Sequence, residues 1–306
     1  MIAIIALAAA LAAAPQQQDA AAPATVPTGN SALVEAEEHE FDILHHVMDA
    51  REIELPGGTI HLPPAGSWMV GPIDMTPTKH VVFLGLTAII VLLLLIPAAR
   101  AARRCGPEGR PRGQHNVIEA AVLFLRDKVI MPNIGHGGDR FVPFVTTLFF
   151  FILVSNLLGL LPWGATATGN ISVTAALALM AFVTIEYAGM RALGPRGYLG
   201  TIVYIPHGLP KPLIPVMALI MTPVELLGKV VKPTALAIRL FANMTAGHIL
   251  LLAIISLIFV FGSFAIAFAP VVMAVAITFL ELFVAFLQAY IFALLTSVFI
   301  GLIRQH

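Results

Sequence analysis

The sequence predicts an all-α integral membrane protein with five membrane helices. Of its 306 residues, 58% are hydrophobic and 11% charged, acidic and basic residues segregate along the chain, and two apolar stretches near the C-terminus far exceed one membrane span. The last two helices are expected as a long, steeply tilted hairpin, and an amphipathic surface helix should follow the first span. The 17 basic and 17 acidic residues cancel, and a mean hydropathy of +0.92 excludes a disordered or nucleic-acid-binding chain. The single cysteine, Cys105, excludes a disulfide framework and a cysteine-based metal site.

Residues 1–14, MIAIIALAAALAAA, form a signal-like apolar segment too short to span, and Pro15 opens a Gln/Ala/Pro linker. The region 15–80 is acidic: from Asn30 to His80 nine Asp or Glu face only Arg51 and Lys79. Glu35, Glu37, Glu38 and Glu40 with His45 and His46 read as solvated surface rather than a metal site. Between Arg100 and Arg140 stand eight basic residues, which the positive-inside rule places in the cytoplasm. The uncharged stretch 81–99 between these regions therefore crosses with its N-terminal end outside, leaving 15–80 extracytoplasmic.

Within the basic loop, 100–140, the stretch Gln114 to Met131 holds Asn116, Glu119, Arg126 and Asp127 on one stripe, as a surface helix would. A transmembrane hairpin is expected over 141–190. Phe141 to Leu161 runs outward, the ATATGN turn reverses the chain at Asn170, and Ile171 to Met190 returns with Glu186 as its lone charge. Arg191, Arg196 and Lys211 mark a second cytoplasmic loop, 191–211.

The remainder, 212–306, reads as the long tilted hairpin. Pro212 to Val260 and Phe264 to Ile303 would make helices of ~73 and ~60 Å, against a hydrocarbon core of ~30 Å. Dividing the first stretch by a turn at Lys229 to Pro233 would give six spans and put Arg304 outside. Five passes keep Arg304 and the C-terminus in the cytoplasm, as the charge rule favours.

Six residues inside the otherwise apolar hairpin call for explanation: Glu225, Arg239, Asn243, His248, Glu281 and Gln288. Charge within a membrane marks function by default, since an arginine at mid-bilayer costs ~2.5 to 3.5 kcal/mol on insertion scales. A structural ion pair of Arg239 with Glu225 or Glu281 is the plain alternative, and His248 or Gln288 alone would be ordinary interhelical contacts. At 100° per residue Asn243 shares the Arg239 face and His248 points about 180° away, while Glu281 and Gln288 share a stripe. This layout suits moving ions rather than clamping one substrate. On physics alone a secondary transporter or anion channel using Arg239 as a substrate-binding cation stays open, as does a scaffold. GKVV at Gly228 lacks the flanking residues of a phosphate-binding loop.

The segment KPTALAIRLFANMTAGHILL, Lys232 to Leu251, and ELFVAFLQAYIFALLTSVF, Glu281 to Phe299, resemble the signature of subunit a of the F-type rotary ATP synthase. The resemblance implies a non-catalytic, proton-translocating stator subunit without cofactors. In it Arg239 separates two offset half-channels, His248, Glu281 and Gln288 line the outer one, Glu225 lines the cytoplasmic one, and Asn243 belongs to the same set. Many members exchange the residue types found here at His248 and Glu281, and some carry Asp at the position of Asn170. The implied partners are the rotor-ring subunit c, whose carboxylate meets Arg239, the peripheral-stalk subunit b, the remaining ATP synthase subunits and lipid. The implied location is a bacterial inner membrane. The acidic N-terminal extension lies outside the family's common core.

Overall fold

The computed structural model describes residues 52–55, 58–63, 67, 69–70, 73–74, 78–105, 114–161, 167–202, 214–261 and 264–305. The signal-like segment, the acidic run and His45 and His46 lie outside these. Ahead of the first span are two antiparallel hairpins. β1 (Glu52–Leu55) pairs with β2 (Gly58–His61) from Glu52↔His61 to Leu55↔Gly58, and β3 (Met69–Val70) pairs with β4 (Ile73–Asp74). Charge composition did not reveal them. The local signal was Pro56-Gly57-Gly58 between the runs EIEL and TIHL.

Helix α1 (Lys79–Cys105) extends beyond the expected 81–99 span at both ends. The expected single surface helix is divided into α2 (Gln114–Phe124), a π-helical stretch Leu125–Ile130 and α3 (Met131–Ile134). Pro132 has no N–H for the carbonyl of Lys128, four residues back, and that carbonyl lies within the π stretch. Leu125, Val129 and Ile130 are buried there, and Asn133 Nδ2 donates to the Val129 carbonyl at 2.6 Å. Arg126 ties the segment to Asp139 through an Nη2–Oδ1 contact of 3.0 Å.

Helix α4 (Val142–Gly159) and helix α5 (Ile171–Ile202) are joined through a 3-10 turn at Ala167–Gly169. Asn170 caps α5: its Oδ1 accepts the Ser172 N–H at 2.8 Å, satisfying a donor in the helix's first turn. Gly194, at φ 70°, bends α5 inside the stretch expected to be loop. Two helices then complete the chain, α6 (Ile214–Phe261, 48 residues) and α7 (Phe264–Gln305, 42 residues), packed against each other.

No turn interrupts Lys229 to Pro233; Pro223 and Pro233 lie inside α6, and Pro270 lies inside α7. Five described helices are long and apolar enough to cross a membrane. The ends agree with an odd number of passes, because Arg304 Nη2 donates to the His136 carbonyl at 2.8 Å. At Gly301 a Cβ would stand 2.9 Å from the Asn133 carbonyl carbon, so glycine alone permits this approach. The six-span division, which separates Arg304 from the basic loop, is excluded.

On α7 the fully buried Ala285, Ala289 and Ala293 recur every fourth residue. Small side chains at that spacing let neighbouring helices approach closely, which drives packing where lipid removes the hydrophobic incentive. Ala289 joins a core with Ile152, Leu177, Leu240 and Phe292, and Ala293 one with Val129, Ile130 and Ile300, all buried. Hydroxyls inside the helices mostly satisfy themselves on the preceding turn: Thr87 bonds the Phe83 carbonyl and Ser297 that of Ala293, each at 2.8 Å. Polar groups that reach across helices therefore stand out.

Candidate ion path

Arg239 lies on an exposed face of α6 beside exposed Ile238, and it has no hydrogen-bond or ion-pair partner among the described residues. One turn later Asn243 Nδ2 donates to Gln288 Oε1 at 3.0 Å, joining α6 to α7. Gln288 is buried, and its Nε2 has no partner among the described residues. Two turns before it on α7 stands Glu281, with both carboxyl oxygens buried and without a hydrogen-bond partner. The carboxyl packs on Gly247, where a Cβ would meet Glu281 Cδ at 3.2 Å. Buried Thr245 Oγ1 is likewise unpartnered on α6. A seam of polar atoms with unused hydrogen-bonding capacity thus runs between the two long helices, and in an apolar interior each such atom is costly unless solvated.

His248 follows Gly247 but makes no hydrogen bond to Glu281, whose oxygens have none. Its imidazole lies near the Gly159 backbone at the end of α4 and near Lys79 and His80, both buried at the head of α1. Glu281 packs on the residue before His248, and the two side chains share no hydrogen bond. The sequence reading missed Asn156. This fully buried amide accepts from Thr168 Oγ1 at 2.7 Å and donates to the Ala285 carbonyl at 3.5 Å, on the Glu281–Gln288 stripe. Its signal was legible: one amide in the otherwise apolar FILVSNLLGLL.

Glu225 lies at the opposite end of α6, on a cavity of about 270 Å³ between α5, α6 and α7, which Glu186, Thr201, Lys229 and Lys232 also line. Lys229 Nζ donates to Thr201 Oγ1 at 3.0 Å, stands 3.6 Å from Glu186 Oε2 and lies 4.8 Å from the centre of the Tyr198 ring. The Tyr198 hydroxyl donates to the same Glu186 oxygen. Burial first, then the bond and charge of Glu186, push the Tyr198 phenol up to about 12, so it remains a donor at any physiological pH. Glu186 and Lys229 each show in the sequence, but their pairing depends on how α5 crosses α6.

Arg239 follows Glu225 by 14 residues and precedes His248 by nine, which is about 21 Å and 13 Å of helix. The fold and site define a multi-pass helical membrane protein in which an exposed guanidinium on α6 stands between a polar cavity at Glu225 and a polar seam at Glu281 and Gln288. Residues 81–301 match the ATP synthase A chain family. The chain is 43% identical over 268 residues to ATP synthase subunit a of Chloroherpeton thalassium, covering 87% of this chain and 78% of that one. With ATP synthase subunit a of Anaeromyxobacter dehalogenans the identity is 46% over 271 residues, 85% of this chain and 69% of that one. For the subunit of Pelodictyon phaeoclathratiforme it is 40% over 294 residues, 94% and 84% of the two chains. The chain belongs to the ATP synthase A chain family, whose members are non-catalytic membrane subunits.

Proposed function

We propose that this chain conducts protons as the stator of an ATP synthase membrane sector, passing them to and from a rotor carboxylate along two half-channels that Arg239 separates. The observation that carries this reading is the unpartnered Arg239 on an open apolar face. A guanidinium in hydrocarbon needs a counter-charge, and none comes from Glu225 or Glu281. A carboxylate on a neighbouring subunit supplies it. Within ~4 to 6 Å of Arg239 such a carboxyl has its pKa lowered by ~1 to 3 units, so it releases its proton there and takes another after moving away. Arginine keeps its own proton at every accessible pH and blocks direct passage between the recesses.

The outer half-channel comprises His248, Glu281 and Gln288, with Asn243 holding Gln288 and Asn156 supporting the α7 stripe. Glu225 and its cavity form the cytoplasmic half-channel. The positive-inside rule orients the molecule, with the hairpin region before α1 outside and the loop before α2 inside. The rotor-ring subunit c occupies the Arg239 face, and the peripheral-stalk subunit b and the other ATP synthase subunits complete the assembly in a bacterial inner membrane.

The test is ATP-driven proton pumping in inverted vesicles with matched amounts of assembled complex. Arg239→Lys should abolish coupled pumping, because a desolvated amine can release its proton, and Arg239→Ala should abolish it while opening a passive leak. Near-normal pumping by Arg239→Lys would reduce the residue to a simple counter-charge. Substrate uptake by the chain alone, without rotor subunits, would make it a transporter.

A further inference from the structure

On α6, Glu225, Lys229 and Lys232 follow one another at i, i+4 and i+7, so all three share one face and line the same cavity. A Glu four residues before a Lys is the favourable helical ion-pair arrangement, and Lys229 would be expected to close on Glu225. It does not. Lys229 turns across to α5, where Thr201, Glu186 and the Tyr198 ring take its ammonium, and Glu225 has no hydrogen-bond or ion-pair partner among the described residues. Ionised groups in an apolar span are costly, and replacing a buried ion pair as a whole by apolar residues is often neutral or stabilising, so stability alone gives little reason for keeping a Glu186–Lys229 pair.

We propose that Glu186 is a positioning residue that holds Lys229 away from Glu225 and so leaves Glu225 free to exchange protons with the cytoplasm. The inference rests on the cytoplasmic half-channel assignment of Glu225. Tyr198 assists: with its phenol pushed up to about 12, it stays protonated and fixes the Glu186 oxygen that faces Lys229. The other groups around Glu225 offer no substitute. Besides Glu186, α5 brings the polar Thr201 to the cavity, with Tyr198 reaching Glu186 and Lys229; α6 brings Lys229 and Lys232, and α7 brings only the apolar Phe299, Leu302 and Ile303; the Lys232 ammonium lies 5.4 Å from the Phe299 ring centre. Removing the Glu186 charge releases Lys229 to its own helix, where it pairs with Glu225 and competes with proton exchange there.

The experiment uses the complete ATP synthase in inverted vesicles, whose outer medium is the cytoplasmic side, and records ATP-driven pumping against medium pH. Glu186→Gln keeps the volume and a hydrogen-bond acceptor for Tyr198 but loses the charge. Its profile should move about one unit toward lower pH, an about tenfold loss on the alkaline limb. Adding Lys229→Met should return the profile toward that of the parent and raise the rate above that of Glu186→Gln alone. If the pair only clamps α5 to α6, Glu186→Gln strands the Lys229 charge and lowers the yield and rate of the complex at every pH without moving the profile, and the proposal is overturned. It is overturned equally by a Glu186→Gln complex with a normal profile. Glu225→Gln separates the two levels of the argument. Normal pumping by that variant removes Glu225 from the path and overturns both the half-channel assignment and this inference, whereas blocked pumping with no rescue in the double variant overturns the inference alone.

Discussion

His248 and Glu281 show what a single residue can and cannot disclose. Intramembrane histidine and glutamate are conspicuous in the sequence, and their resemblance to an exchangeable pair suggests a shared proton path, yet the structure gives them no hydrogen bond to each other. The imidazole lies near the Gly159 backbone, and the Glu281 carboxyl rests on Gly247. Any coupling between them must act without a direct bond. His248→Glu and Glu281→His should each slow proton flux, and the double exchange should recover more than either, in a double-mutant cycle on matched complexes; additive losses would remove both from a common path. Tyr198 makes the opposite prediction about pH. Its folded pKa of about 12 lies above the ordinary 10.0, so its contribution to stability is complete below about pH 10 and is lost as pH rises through about 12. Tyr198→Phe should accordingly lower the melting temperature of the purified complex by a constant amount from about pH 6 to pH 9. An offset that varies over that range would mean that the phenol titrates there.

Helices follow from apolar length, and the sequence displays length directly. The 48 residues of α6 and 42 of α7 stay helical through three prolines because the surrounding apolar run leaves the backbone no better way to satisfy its polar groups in lipid. Features that depend on a few residues were harder to read. The π stretch before Pro132, the bend at Gly194 and the hairpins ahead of α1 each rest on one or two residues inside a region whose average composition points elsewhere. The site divides similarly. Arg239, Glu225, His248, Glu281 and Gln288 stand out because charge or amide within an apolar helix is visible in one dimension. Asn156 with Thr168, and Glu186 with Lys229, acquire meaning from contacts 12 to 43 residues apart that depend on how helices cross. Glycine at the crossings is testable. Gly301→Ala forces a Cβ against the Asn133 backbone and should cost about 1 to 3 kcal/mol or more, seen as lower yield and melting temperature, whereas Gly85→Ala meets nothing within 4 Å and should be nearly neutral. Equal effects would mean that the α3–α7 contact does not limit stability.

Across the whole molecule, charge asymmetry and one tertiary contact bear on different questions. The bond from Arg304 to the His136 carbonyl puts the end of α7 beside the segment that follows α3, which requires an odd number of crossings whichever way the protein faces. Direction comes from the excess of Lys and Arg between Arg100 and Arg140 over the acidic stretch before Lys79. Cysteines placed by substitution in a Cys105→Ser background separate the two. Ser67 and Asn116 are exposed on either side of α1, and Gln305 closes α7. An impermeant maleimide added to intact cells should label Ser67→Cys, and should reach Asn116→Cys and Gln305→Cys only after permeabilisation. Labelling of both Asn116→Cys and Gln305→Cys from outside, with Ser67→Cys protected, would keep five passes and reverse the orientation, which would also exchange the inner and outer half-channels. Outside labelling of Gln305→Cys with Asn116→Cys protected would place the two ends of the Arg304–His136 contact on opposite sides of the membrane. An intramolecular bond of 2.8 Å cannot span a core of ~30 Å, so that result would refute the packing of α7 against α3 and the five-pass fold with it.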